Sequence, residues 1–196
     1  MDGTRHSIVR NEPGGAASGE TKSHPKTTTS QAKKNTDLHK AVKEKKNSTV
    51  KALLEKNSDL LNIQNEDDGA TALHLAVYLG EHEIVETLLE KKANLSIRDD
   101  YGWLPLHIAA WYNHKEIVAL LLAEEAGADP NIQDAAYKWT PLHVAAYKGY
   151  DEIVKLLLAA EAGPDIQDKD GNTPLDIAKK RGKNSTVKIL KKAEEG

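Results

Sequence analysis

The sequence contains no cysteine and no phenylalanine among its 196 residues. The lack of cysteine excludes a disulfide framework, a thiolate zinc site and a cysteine nucleophile. Long apolar runs are also missing, since the longest, residues 117–123, is far shorter than the ~20 residues that a membrane-spanning helix needs. No apolar stretch near the N-terminus resembles a secretory signal. We therefore expect a cytoplasmic or otherwise intracellular chain, with a secreted effector as the alternative.

Charge and aromatic residues narrow the function further. The formal net charge is only −3, so the chain as a whole attracts neither nucleic acid nor an anionic membrane. The three tryptophans and six tyrosines all fall between residues 78 and 150. A core without phenylalanine must use leucine, isoleucine, valine and alanine, which implies close helix packing and leaves the aromatic residues to be explained separately.

A four-residue motif recurs five times, at intervals of 35, 33, 36 and 33 residues. The copies are Thr36-Asp37-Leu38-His39, Thr71-Ala72-Leu73-His74, Leu104-Pro105-Leu106-His107, Thr140-Pro141-Leu142-His143 and Thr173-Pro174-Leu175-Asp176. A second apolar segment begins fourteen residues after the start of each copy. Because the motif and the apolar segment recur at a fixed offset from each other, the sequence predicts a repeat protein.

Each repeat predicts two short helices joined by a turn. Thr140 is a favourable N-cap residue, Pro141 suits the first helical position, and Gly149 can end the helix with a positive φ. Apolar stripes follow in the first helix and again within residues 153–158. Because these helices are shorter than the ~12–15 residues of a marginal isolated helix, the repeats must stack into a solenoid.

The motifs resemble those of the ankyrin-repeat family. The resemblance is carried by residues 69–76, 105–110 and 140–146 and by the loop at 126–131. It implies an all-α ankyrin-repeat solenoid of five helix-turn-helix units with β-hairpin fingers. The expected ranges are an N-terminal capping repeat at 35–64, internal repeats at 65–98, 99–133 and 134–167, and a C-terminal capping repeat at 168–196.

Residues 1–34 are predicted to be a disordered N-terminal tail. They are rich in Gly, Ser, Thr and Lys without apolar spacing, so they cannot bury enough surface to offset the entropy of ordering. Six basic and three acidic residues make the tail mildly basic. An address, a phosphorylation target or a linker remnant would each fit this composition.

No catalytic or metal-binding pattern stands out. His39, His74, His107 and His143 lack a second ligand at i+3 or i+4, and in similar repeats this histidine ties its helix to the neighbouring loop. Paired aspartates fit turns better than acid–base catalysis or calcium binding. The lysines of the last repeat fit a water-facing cap better than a nucleic-acid patch. We expect no enzyme, no metal and no cofactor.

The aromatic residues form the candidate binding site. On a helical wheel Tyr78, Trp111 and Tyr147 lie off the apolar stripe. The resemblance to ankyrin repeats implies that first-helix and finger positions line a concave groove that grips partners. The predicted partner-binding residues are Tyr78, Tyr101, Trp103, Trp111, Tyr112, Tyr137, Trp139, Tyr147 and Lys148, with Asp67, Asp99 and Asp100 as an acidic rim that favours a basic partner. Packing of the rings within the stack is the alternative.

The third and fourth repeats depart from the common pattern. Lys138 stands where other repeats have glycine, so this finger either changes shape or is strained. Leu104 replaces the capping threonine, and the residues around Glu124 and Glu125 are expected to lengthen the second helix.

The sequence thus predicts a non-catalytic protein–protein interaction module that is monomeric when free. An engineered or selected binder on an ankyrin scaffold would present the same surface and is the main alternative. Nucleic-acid binding through the aromatic face is a lesser alternative, which the acidic balance of the repeat region opposes.

Overall fold

A computed structural model describes residues 34–195, so residues 1–33 of the predicted tail lie outside the described residues. Within the described range the chain forms ten α-helices, one 3₁₀ turn at Ser58–Leu60, and no β-strand. The helices are α1 (Asp37–Lys43), α2 (Asn47–Lys56), α3 (Ala72–Leu79), α4 (His82–Glu90), α5 (Pro105–Trp111), α6 (Lys115–Leu122), α7 (Pro141–Lys148), α8 (Asp151–Ala159), α9 (Pro174–Lys180) and α10 (Asn184–Glu194). This architecture fits the predicted all-α solenoid.

The helices alternate between two layers. Each odd-numbered helix, which we call a first helix, packs against the even-numbered second helix that follows it. First helices also pack on one another in order from α1 to α9, and second helices do the same from α2 to α10. Every helix pair therefore contacts its neighbours along the chain, as in a solenoid.

Capping boxes begin four of the first helices. In each, a threonine hydroxyl accepts a hydrogen bond from the backbone N–H three residues on, and the side chain at that position accepts the threonine N–H. The threonines are Thr36, Thr71, Thr140 and Thr173. This reciprocal arrangement satisfies donors that a helix start leaves open. At α5 the equivalent Leu104 makes no side-chain cap, as predicted, and is buried instead.

The recurring histidines link each helix pair to the next. In every case the imidazole Nε2 lies within hydrogen-bond distance of a backbone oxygen in the following turn. The links join His39 to Ala70 at 3.1 Å, His74 to Trp103 at 3.3 Å, His107 to Trp139 at 2.8 Å and His143 to Asn172 at 3.1 Å. The structural role predicted for these histidines is confirmed.

Asp176 occupies the histidine position of the last motif and acts differently. Its carboxylate accepts the backbone N–H of Thr173 at 3.2 Å and the hydroxyl of Thr173 at 3.0 Å. These bonds hold the pKa of Asp176 below its ordinary value, because they favour the charged carboxylate. The residue therefore caps its own helix.

Tight turns precede α3, α5, α7 and α9. A backbone hydrogen bond spans each turn, such as Asp99 N–H to Trp103 O at 2.9 Å or Asp134 N–H to Trp139 O at 2.7 Å, and the turn before α5 has a second one from Gly102 N–H to Asp99 O at 2.9 Å. Within residues 34–195 these bonds do not build strands, so the predicted β-hairpin fingers are not confirmed.

The third and fourth repeats depart from the common pattern at Lys138 and near Glu124. Lys138 has a φ of +54°, a left-handed conformation that is costly for a residue with a Cβ. The added residues near Glu124 do not lengthen α6, which has eight residues against nine in α4 and α8, so this prediction was wrong. Ala123 leaves the helical region, and the insertion becomes a turn. Because of that turn, Ala128 N–H still reaches Leu121 O at 3.0 Å, as in the neighbouring helix pairs.

Candidate protein-binding face

Five aromatic residues contact one another in a continuous row across α5, α7 and the turns before them. Trp103 and Trp111 meet edge to face with ring centroids 5.3 Å apart, and Trp111 stacks on Tyr147 at 6.0 Å. Tyr147 lies 5.3 Å from Trp139, whose ring lies 6.0 Å from that of Tyr137. We call these five residues the aromatic row.

The three tryptophans of the row are buried, which corrects the prediction that they are exposed anchors. Trp103, Trp111 and Trp139 are 5%, 8% and 7% exposed and belong to the hydrophobic core. A helical wheel describes one helix alone, whereas the neighbouring helix pair and its turn cover these off-stripe positions here. Trp139 also donates its indole N–H to Asp168 Oδ2 at 3.3 Å. Packing within the stack therefore accounts for the indoles.

The tyrosines of this region remain accessible. Tyr78, Tyr112, Tyr137 and Tyr147 are half-buried, and the first two meet edge to face at 5.0 Å. Tyr101, at the tip of a turn, is the large hydrophobic side chain that residues 34–195 leave exposed, at 48%. These five accessible tyrosines are the aromatic surface that a partner could reach.

Cationic side chains cover ring faces of the aromatic row. The contacts, measured to ring centroids, are Lys148 Nζ over Trp111 at 3.7 Å, Arg181 Cζ over Tyr147 at 4.2 Å and Lys169 Nζ over Tyr137 at 4.3 Å. These distances fit cation–π contacts, which are stronger where water is partly excluded. The row therefore carries positive charge on its outer side.

Lys148 lies partly buried beside a second positive charge. Burial lowers its pKa below the ordinary lysine value, and the nearby positive charge of Lys183 lowers it further. The stem of Lys183 also lies against Gly149, where an added Cβ would meet its Cδ at 2.7 Å. We refer to Lys148, Lys169, Arg181 and Lys183 as the cationic cluster.

The sequence analysis identified Lys148 but missed Lys169, Arg181 and Lys183. All three belong to the lysine-rich last repeat, whose charges were interpreted as a water-facing cap. The sequence did contain a sign that Arg181 belongs to the same face as Lys148, because each lies eight residues after the threonine that begins its motif. Two cations at one phase indicate one face of the stack.

Asp99 is not part of an acidic rim. Its carboxylate is buried and accepts the backbone N–H groups of Tyr101 and Trp103 at 3.1 and 2.8 Å, which makes it a turn former. Asp67 and Asp100 do remain at the surface, and Asp67 lies 3.7 Å from Lys43 Nζ. The rim is thus smaller than predicted, which weakens the argument for a basic partner.

The part of the chain that the structure describes shows no group of three or more acidic or histidine side chains placed to hold a metal ion. In the same range, no helix has the length and apolar character needed to cross a membrane.

The architecture defines the class of protein. Stacked pairs of short helices, joined in series by histidine links, form a helical-repeat solenoid. A family model described as ankyrin repeats in three copies matches residues 38–134 and 126–195. Because these matches cover most of the sequence, the chain belongs to the ankyrin-repeat family. Ankyrin repeats generally mediate protein–protein interaction and are generally non-catalytic.

A curated relative shares part of this sequence. BTB/POZ domain-containing protein 1 of Schizosaccharomyces pombe is 42% identical over 73 residues. The matched segment is 36% of this chain and 5% of that protein, so the chain spans only a small part of the relative's length. The similarity is confined to that segment.

Proposed function

We propose that the chain is a non-catalytic protein-interaction module whose five helix pairs present one binding face. The face consists of the accessible tyrosines and the cationic cluster on the first-helix layer. The observation that carries the proposal is an alignment: Tyr112, Lys148 and Arg181 each lie eight residues after the first residue of their motif, at the ends of α5, α7 and α9. Three successive repeats thus offer large side chains at equivalent places.

The chemistry of these side chains suits protein recognition. Tyrosine combines an apolar ring with a polar tip, and tyrosine and arginine are enriched among residues that dominate binding energy. The buried indoles of Trp111 and Trp139 support Tyr147 from within the core. Since a partner then orders few side chains on binding, less conformational entropy is lost.

The sequence also favours an intracellular partner. A chain without cysteine gains nothing from an oxidising compartment, where disulfides stabilise small domains.

Affinity capture from a lysate of the source organism tests this proposal. The baits are the wild-type chain, the double variant Tyr101→Ala/Tyr112→Ala on the proposed face, and the control Glu152→Ala/Lys155→Ala on α8. Glu152 and Lys155 are exposed on a second helix and pair with each other at 2.7 Å, so their removal leaves the core intact. Thermal melting of all three baits checks that they are folded.

The expected result is a protein retained by the wild type and the control but lost from the tyrosine variant. Capture of the same proteins by all three baits would place binding elsewhere on the chain and contradict the proposal.

A further inference from the structure

We propose that the cationic cluster, with the aromatic row beneath it, binds an acidic peptide segment of a partner protein. This inference rests on the proposed function and specifies the chemistry of the partner. It also replaces the sequence-based expectation of a basic partner, which relied on a rim that includes the buried Asp99.

The charges of the cluster are uncompensated. None of the ion pairs between described residues, 34–195, involves Lys148, Lys169, Arg181 or Lys183. Elsewhere in the same range surface lysines do find acidic partners, as Lys45 does with Glu81 at 2.7 Å. Within the cluster, Lys148 and Lys183 therefore hold like charges close enough to interact, without the ion pairs that lysines elsewhere on the surface have.

Two carboxylates close to the cluster along the chain have other partners, whereas Asp170, next to Lys169, is exposed and forms no ion pair with the cluster among the residues that the structure describes. Asp168 is buried and accepts the backbone N–H of Asn172 at 2.8 Å together with the indole N–H of Trp139. Asp176 caps α9 and lies 3.6 Å from Lys179 Nζ. An external carboxylate would therefore meet positive charge at Lys148 and Arg181 that Asp168 and Asp176 do not neutralise.

The surroundings of Lys148 explain why binding of a carboxylate would be favourable. Its ammonium group lies 3.7 Å from the Trp111 ring centroid, is partly removed from water, and is near the positive charge of Lys183. Partial burial and the positive charge of Lys183 both disfavour the charged form of Lys148 in the free protein. A carboxylate placed between Lys148 and Arg181 would favour that form, and arginine can bind it with two parallel hydrogen bonds.

The observations favour a peptide over a nucleic acid. Sequence-tolerant binding of single strands uses open aromatic faces on which bases stack. Here Trp111 and Trp139 are buried, and cations already cover the faces of Trp111, Tyr137 and Tyr147. A peptide carboxylate needs only the charged groups and no free ring face.

The test is an NMR titration of the full-length, ¹⁵N-labelled chain with three probes of matched length. The probes are deca-glutamate, deca-lysine and the deoxythymidine decamer. Deca-glutamate should shift the backbone amides of Lys148 and Arg181 and the indole N–H of Trp111 saturably. Amides of α2 and α4 should not move, because they lie on the second-helix layer away from the cluster.

Two double variants separate a specific site from general charge attraction. Lys148→Met/Arg181→Met removes two positive charges from the cluster and keeps apolar stems over the rings. The matched control Lys188→Met/Lys191→Met removes two positive charges from exposed positions on α10 of the same repeat. We expect the first to weaken deca-glutamate binding about tenfold and the second less than about twofold, with unchanged melting temperatures.

Several results would overturn the inference. Equal weakening in both variants would show non-specific attraction, and the lack of saturable deca-glutamate binding up to about 1 mM would show no site. Tighter binding of the deoxythymidine decamer at the same residues would indicate a nucleic-acid ligand. Self-association that depends on Lys148 and Arg181 would assign the cluster to a second copy of the chain.

The outcomes also separate this inference from the proposed function. Tyrosine-dependent capture of a protein without deca-glutamate binding would retain the interaction face and refute the acidic ligand. Capture that is insensitive to the tyrosines would refute the face, whatever the peptide titration shows.

Discussion

Replacing Trp111 with alanine should lower the free energy of unfolding by about 3–5 kcal/mol, the usual cost of removing a large buried aromatic side chain. Trp111 is 8% exposed and contacts the rings of Trp103 and Tyr147. Burial of ~150–250 Å² at ~25 cal/mol per Å² corresponds to about 4–6 kcal/mol, which is an upper value because the unfolded chain is itself partly compact.

Urea denaturation followed by far-ultraviolet circular dichroism measures this cost. With a slope of about 1–3 kcal/mol per molar, the midpoint should fall by roughly 2 M. The control is Tyr101→Ala, which should cost about 1 kcal/mol or less because that ring is 48% exposed. If Trp111→Ala cost no more than Tyr101→Ala, the indole would not be part of the core, and the support assigned to the aromatic row would be refuted.

Three further predictions follow from the backbone, the histidines and the caps. Lys138→Gly should stabilise the fold by about 0.5–1 kcal/mol, because relief of ~1–2 kcal/mol of left-handed strain exceeds the ~0.5–1 kcal/mol entropic cost of glycine; a lower urea midpoint would contradict this. Burial lowers the pKa of His39 and His143 below the ordinary 6.5, so the unfolded chain binds protons first as the pH falls. Stability should therefore be steady above about pH 6.5 and decline below it, and identical thermal melts at pH 7.5 and pH 5 would refute that account. Thr71→Val removes the hydroxyl that caps α3 and should cost about 1–2 kcal/mol in urea denaturation, whereas Thr71→Ser should cost less; equal losses would show that the hydroxyl is not the cause.

The repeat phase and the helix starts could be predicted from the sequence because they depend on local spacing. A capping box needs residues only three apart, so Thr140 and His143 identify the start of α7 without knowledge of the rest of the fold. The histidine links could be predicted as well, since each recurs at the same phase. Local chemistry of this kind does not change when repeats stack.

The candidate face was harder to predict because its burial is decided between repeats. Trp111 is off the stripe of its own helix, yet α7 brings Tyr147 and Lys148 over it. Arg181 reaches Tyr147 from a position 34 residues further along the chain. A helical wheel contains neither contact, so it treated the buried indoles as exposed and left Arg181 in the solvent-facing cap.

The direction of the histidine links has a consequence for how such a chain can change in length. Every link runs forward, from an imidazole of one helix pair to a backbone oxygen of the next. Copying or deleting one whole repeat recreates the same bond at the new junction, whereas a partial repeat would misplace each later imidazole. The aromatic row begins only at Trp103. Duplications before it can therefore extend the array and leave the binding face unchanged, so that length and specificity can evolve separately.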